Sequence, residues 1–193
     1  MKFAIAILAT LGALVAPGAV AQLTPAQVVA AINSVASITQ NSNNVLSTLS
    51  TTTPSAQVIT SSQTLVSNFN TIIGNINTHI TAIRSSPVIP ATTAQSRRQS
   101  AGDDIVAAWD NFVAIQQAFL VTVNSKGSIF AQFEVASPIA AVLSNLEQAV
   151  DSLASALIAV DPTDADAISA GQTALDNSLV TPGQGWCPPY CPP

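Results

Sequence analysis

The sequence predicts an all-α fold, an elongated antiparallel bundle of five or six amphipathic helices. Three observations predict it. Apolar residues recur at steps of three, four and seven along most of the chain. Short turns containing Pro, Gly and Ser separate the segments that carry this period. Strand-like alternation is only local, as at Ile76, Thr78 and Ile80.

Residues 1–21 stand apart. One Lys precedes an apolar run that ends in Ala19-Val20-Ala21, small residues of the kind a signal peptidase reads. The run is short and broken by Gly12, Pro17 and Gly18, which favours a signal peptide over a membrane anchor. The mature chain is then expected to start at Gln22 and to hold no integral membrane segment.

The helical bundle domain is expected over 22–180. Thr24-Pro25-Ala26-Gln27 can form a capping box with Pro in the first turn. The helix that follows runs over about 25–50, with Thr39 and Ser42 as a polar gap in its apolar seam. Thr53-Pro54 starts the second helix, about 54–84. Its stripe is Val58, Leu65, Phe69, Ile72, Ile76, Ile80 and Ile83, and the face between is Ser, Thr and Asn. Intrinsic propensity is poor there, so packing of the stripe must stabilise it. After the turn at 85–91, Thr92 and Gln95 offer another capping box. The third helix reaches about Asn124 unless Gly102 divides it. Residues 129–136 read as a short helix or turn. Ser137-Pro138 opens a helix to Val160, and Asp161-Pro162-Thr163-Asp164 starts a weaker one to about Leu179. Residues 181–193 form a Pro/Gly/Cys tail without periodicity.

Charged residues make up 8% of the chain, against about 25% in ordinary soluble proteins. None lies between Lys2 and Arg84, and every acid lies at or after Asp103. The acid excess argues against nucleic acid as a partner. The two cysteines, Cys187 and Cys191, are read as a local disulfide, with an intermolecular bond or a reactive thiol as alternatives. Asn-x-Ser/Thr sequons are absent, and the Ser/Thr runs leave room for O-glycans.

Catalytic and metal chemistry lack candidates. His79 is the one imidazole and reads as a residue at the edge of the apolar stripe. Asp161, Asp164 and Asp166 do not have EF-hand spacing and suit a helix N-terminus instead. Asp103-Asp104 and the Glu147/Asp151 pair read as solvated faces, and Arg97-Arg98 falls inside a predicted helix. A non-enzymatic protein without cofactor or metal is expected. The apolar residues offered for lipid or surface contact are Phe69, Ile72, Ile76, Trp109, Phe112, Phe119, Phe130, Phe133 and Leu146. They are either ordinary core or the lining of a space for an acyl chain.

Residues 112–162 carry a recognisable pattern. The apolar doublet Phe119-Leu120 ends one helix, and the turn Lys126-Gly127 follows. A connector with Phe130 and Phe133 leads to a helix patterned as Leu143, Leu146, Val150 and Leu153, closing in Ala156-Leu157-Ile158 and Pro162. This segment resembles the fungal hydrophobic surface-binding protein A family, which includes antigenic cell-wall galactomannoproteins. The resemblance implies a secreted or wall-associated helical protein that adsorbs to hydrophobic surfaces. Some members look like fatty-acid binders with an apolar cavity between helices. The alternatives to surface binding are therefore a lipid carrier and a structural wall mannoprotein. The "WCPPYCPP" tail departs from the pattern, and without an apolar end it favours release into the medium over a lipid anchor.

Overall fold

The computed structural model describes residues 22–89 and 99–186. Six α-helices occur among them: α1 (Pro25–Ser47), α2 (Ser55–Arg84), α3 (Gln99–Ser125), α4 (Gly127–Gln132), α5 (Ala136–Val160) and α6 (Ala165–Trp186). A 3-10 turn, Pro162–Asp164, links the last two, and no strand occurs among the described residues. The leader, the Thr92/Gln95 cap, Arg97-Arg98 and both cysteines lie outside them.

The capping box forms as expected. The Gln27 amide donates to Thr24 Oγ1 at 3.3 Å and the Thr24 amide to Gln27 Oε1 at 2.8 Å. Helix α1 stops at Ser47, three residues short of the expected end. The Ser47 and Thr48 hydroxyls there donate to the Asn44 and Val45 carbonyls. Helix α2 has 30 residues, about 45 Å at 1.5 Å per residue. Its predicted stripe is buried from Val58 to Ile83. On its wet face Thr60, Thr64, Thr71 and Thr78 each donate to the carbonyl four residues back. Uncharged hydroxyls thus find partners within the helix.

Helix α3 passes through Gly102 unbroken. Residues Ala101–Ser125 are long and apolar enough to cross a membrane, with mean hydropathy 1.3. Ile105, Trp109, Phe112, Phe119 and Val123 nonetheless point into the bundle and are fully buried. Helix α6 differs from expectation: it continues past Leu179 to Trp186, so residues 181–186 of the predicted tail are helical. Pro182 removes only one amide donor, that for the Ser178 carbonyl, and the backbone continues through it.

Five long helices form a closed ring. Helix α1 packs between α2 and α3, α2 packs on α5, α5 on α6, and α6 on α3. Successive long helices alternate in direction, as an antiparallel bundle requires. Spatial neighbours need not. Trp109 meets Ile168 and Gln117 meets Ala174, so α3 and α6 run parallel. Helix α4 lies across one end and touches α2, α3, α5 and α6. A single hydrophobic cluster fills the ring.

Candidate functional site

The proposed contact residues converge on the interior. Phe69, Ile72, Ile76, Trp109, Phe112, Phe119 and Phe130 are at most 1% exposed and Leu146 is 2%. Phe133 is half-buried beside α4. The Phe69 and Phe119 rings tilt together at a centroid distance of 5.2 Å, and Trp109 and Phe112 at 5.5 Å. The Trp109 indole donates to the Ile168 carbonyl at 3.1 Å. In this state the stripe residues are packed core, and contact with an external surface requires the ring to open.

Among the described residues two spaces adjoin this core. One is a narrow crevice between α1, α2 and α5, bordered by Ile32, Val35, Ile76, His79, Ile83 and Leu153. It is too tight to hold a water. His79 is half-buried at its edge, as its place on the stripe suggested, and burial lowers its pKa from the ordinary value. The other is an open groove of about 610 Å³ between the first half of α2 and the start of α5. Ser62, Val66, Ser67 and Asn70 form one wall, and Val135 and Pro138 face them.

The polar gap predicted in α1 becomes a buried bridge between helices. Gln116 of α3 donates to Thr39 Oγ1 at 3.1 Å, and Asn68 of α2 donates to Ser42 Oγ at 3.1 Å. Thr39 and Ser42 pass their own hydroxyl protons to the carbonyls of Val35 and Ile38. Gln116 Oε1 and Ser62 Oγ are buried without a partner. Sequence reasoning missed both residues. The signal was present: Ser62 interrupts the stripe between Val58 and Leu65, and Gln116 falls between Phe112 and Phe119.

Asp164 and Asp166 lie in the first turns of the 3-10 turn and of α6, as expected, whereas Asp161 turns inward. Asp161 is 1% exposed and makes no cap hydrogen bond with its side chain. Its carboxyl and that of Asp164 converge over Gly102 of α3. Burial and then the Asp164 carboxylate push its pKa up to about 6. Asp151 Oδ1 accepts from Gln172 of α6 at 2.8 Å, across the α5–α6 seam. Asp176 is raised by burial and then by Asp151. Among the described residues no cluster of His, Cys, Asp and Glu is grouped to hold a metal ion.

The strained point beside the groove is Glu134, the one non-glycine with positive φ (56°) among the described residues. It ends the α4 turn and directly precedes Val135.

No family model matches the chain, and no curated protein matches it. Solved structures share its fold. One is the crystal structure of Afmp4p in complex with palmitic acid, with TM-score 0.72 at 13% identity, covering 85% of this chain and 100% of that one. Another is ligand binding domain 1 of the Penicillium marneffei MP1 protein complexed with arachidonic acids, with TM-score 0.71 at 10% identity, covering 86% and 100%. At these identities the likeness establishes a common helical fold.

Proposed function

We propose that the chain is a secreted, non-enzymatic lipid-binding protein that holds a fatty acyl chain between the helices of its ring. One observation carries this reading: two proteins that share the fold over their whole length were solved with fatty acids bound. The apolar ring interior supports it, because an acyl chain needs apolar walls and a way to exclude water. The resemblance of residues 112–162 to hydrophobic surface-binding protein A and the galactomannoproteins points the same way. The leader sequence supports an extracellular setting, and the acid excess weighs against nucleic acid.

The aromatic core fills the ring, so a ligand enters by parting helices rather than by filling a ready cavity. Native mass spectrometry of protein from its natural secretion route tests the reading. A mass increment matching a fatty acid or its ester, lost on delipidation and regained on adding lipid, is the expected result. Protein that stays lipid-free at saturating lipid would refute it.

Adsorption to hydrophobic surfaces is the second reading. The outer faces of α1 and of α2 as far as Ile83 carry no Asp, Glu, Lys or Arg and favour it, since few ions need desolvation at an apolar surface. Equal retention on hydrophobic and silica beads would rule it out.

A further inference from the structure

The groove between α2 and α5 has a chemistry that an acyl chain alone does not explain. Ser62, Val66, Ser67 and Asn70 recur at helical spacing on one stripe of α2, with Val135 and Pro138 opposite. Val66 and Val135 pack against the hydrophobic core, so the groove floor is continuous with the ring interior. Ser62 is 2% exposed and its hydroxyl has no partner. A buried hydroxyl without a partner is unfavourable unless something supplies one.

Among the described residues no cation lines the groove. The described cations are Arg84 and Lys126. Arg84 lies thirteen residues beyond Thr71, the last residue of α2 to line the groove, about 20 Å away. Lys126 Nζ is engaged with the Leu49 carbonyl at 2.7 Å. Glu134, the residue before Val135 in the chain, brings an acid and not a cation to this end of the bundle. Its left-handed backbone is a local strain that non-glycine residues adopt where the surrounding structure demands it.

Resting on the lipid-binding reading, we infer that this groove is a headgroup site. It takes an amphiphile with an uncharged, hydroxyl- or ester-bearing head, such as a monoacylglycerol, in preference to an ionised fatty acid. The acyl chain passes over Val66 and Val135 into the α2–α5 seam. The head stays among Ser62, Ser67 and Asn70, which offer donors and acceptors but no charge.

Displacement of Nile red from the delipidated full chain tests this, comparing 1-monolauroylglycerol with laurate at pH 8.5. Both are used below their micelle concentrations. The monoacylglycerol should displace the dye at about tenfold lower concentration. Ser62→Ala should weaken it about tenfold and change laurate by less than roughly twofold. The same change should raise the Tm of the lipid-free protein, because it deletes an unpartnered buried hydroxyl. Ser67→Lys should move the preference toward laurate. Equal or tighter binding of laurate by the wild type would overturn the headgroup assignment. So would a Ser62→Ala protein that loses both ligands alike together with Tm. Failure of both lipids to displace the dye would instead refute lipid binding itself.

Discussion

Two glycines show how a single Cβ separates a tight contact from open space. A Cβ on Gly171 would press into the Trp109 indole nitrogen and meet Val113 Cγ2 at 3.1 Å. The indole cannot yield easily, because it donates to the Ile168 carbonyl. Gly171→Ala should therefore lower stability by about 1–3 kcal/mol, measured by urea unfolding. Gly74 is helical and a Cβ there meets nothing within 4 Å. Gly74→Ala should raise stability by about 0.5–1 kcal/mol. Asp161 sets a pH dependence. Its carboxyl titrates near pH 6 in the folded chain, above its ordinary 3.8. The folded state thus holds this proton more tightly than the unfolded one. Stability should rise as pH falls through 6 toward 4 and fall as pH rises through 6. A Tm a few degrees higher at pH 5 than at pH 7.5 is expected, and Asp161→Asn should flatten the difference. A domain of this size moves roughly 2–4 °C per kcal/mol.

Among the elements, α4 is the one that cannot stand alone. Six residues are too few for a stable helix in water. Its hold comes from Ile129 and Phe130, 4% and 0% exposed, and from the Val135 amide on the Phe130 carbonyl at 3.0 Å. Lys126 ties its start to Leu49 in the turn after α1. Phe130→Ala should cost about 3–5 kcal/mol and should also speed proteolysis at the connector 126–135. The long helices were legible in the sequence because period and capping are local. The buried stripe of α2 follows residue by residue from Val58 to Ile83. The groove was not legible. It needs α2 and α5 side by side, and no local pattern specifies that 62–70 will face 135–138. The inward turn of Asp161 escaped for the same reason: its partner surface, Gly102, lies on another helix. Continuation of α6 through Pro182 also ran against local preference, which reads Pro-Gly as a stop.

For the whole molecule, the proposed lipid occupancy would be linked to stability. A ligand that binds only the folded chain adds about 2.7 kcal/mol at a hundred times its Kd. That should lift Tm by roughly 5–10 °C for a domain of this size, read by calorimetry with and without lipid. A dye-binding protein whose Tm does not move would place the lipid on unfolded or aggregated chains instead. The ring also dictates an order of assembly. As the chain leaves the ribosome, α1 can pair with α2 at once, but α2 must wait for α5. The α3 edge must wait for α6, made after the other four long helices. Until Ile168 and Leu175 arrive, the sticky flanks of α3 and α5 remain uncovered, as in a barrel lacking its final stave. A lipid within reach at that moment would be enclosed during biosynthesis, with no need to force its way in afterwards.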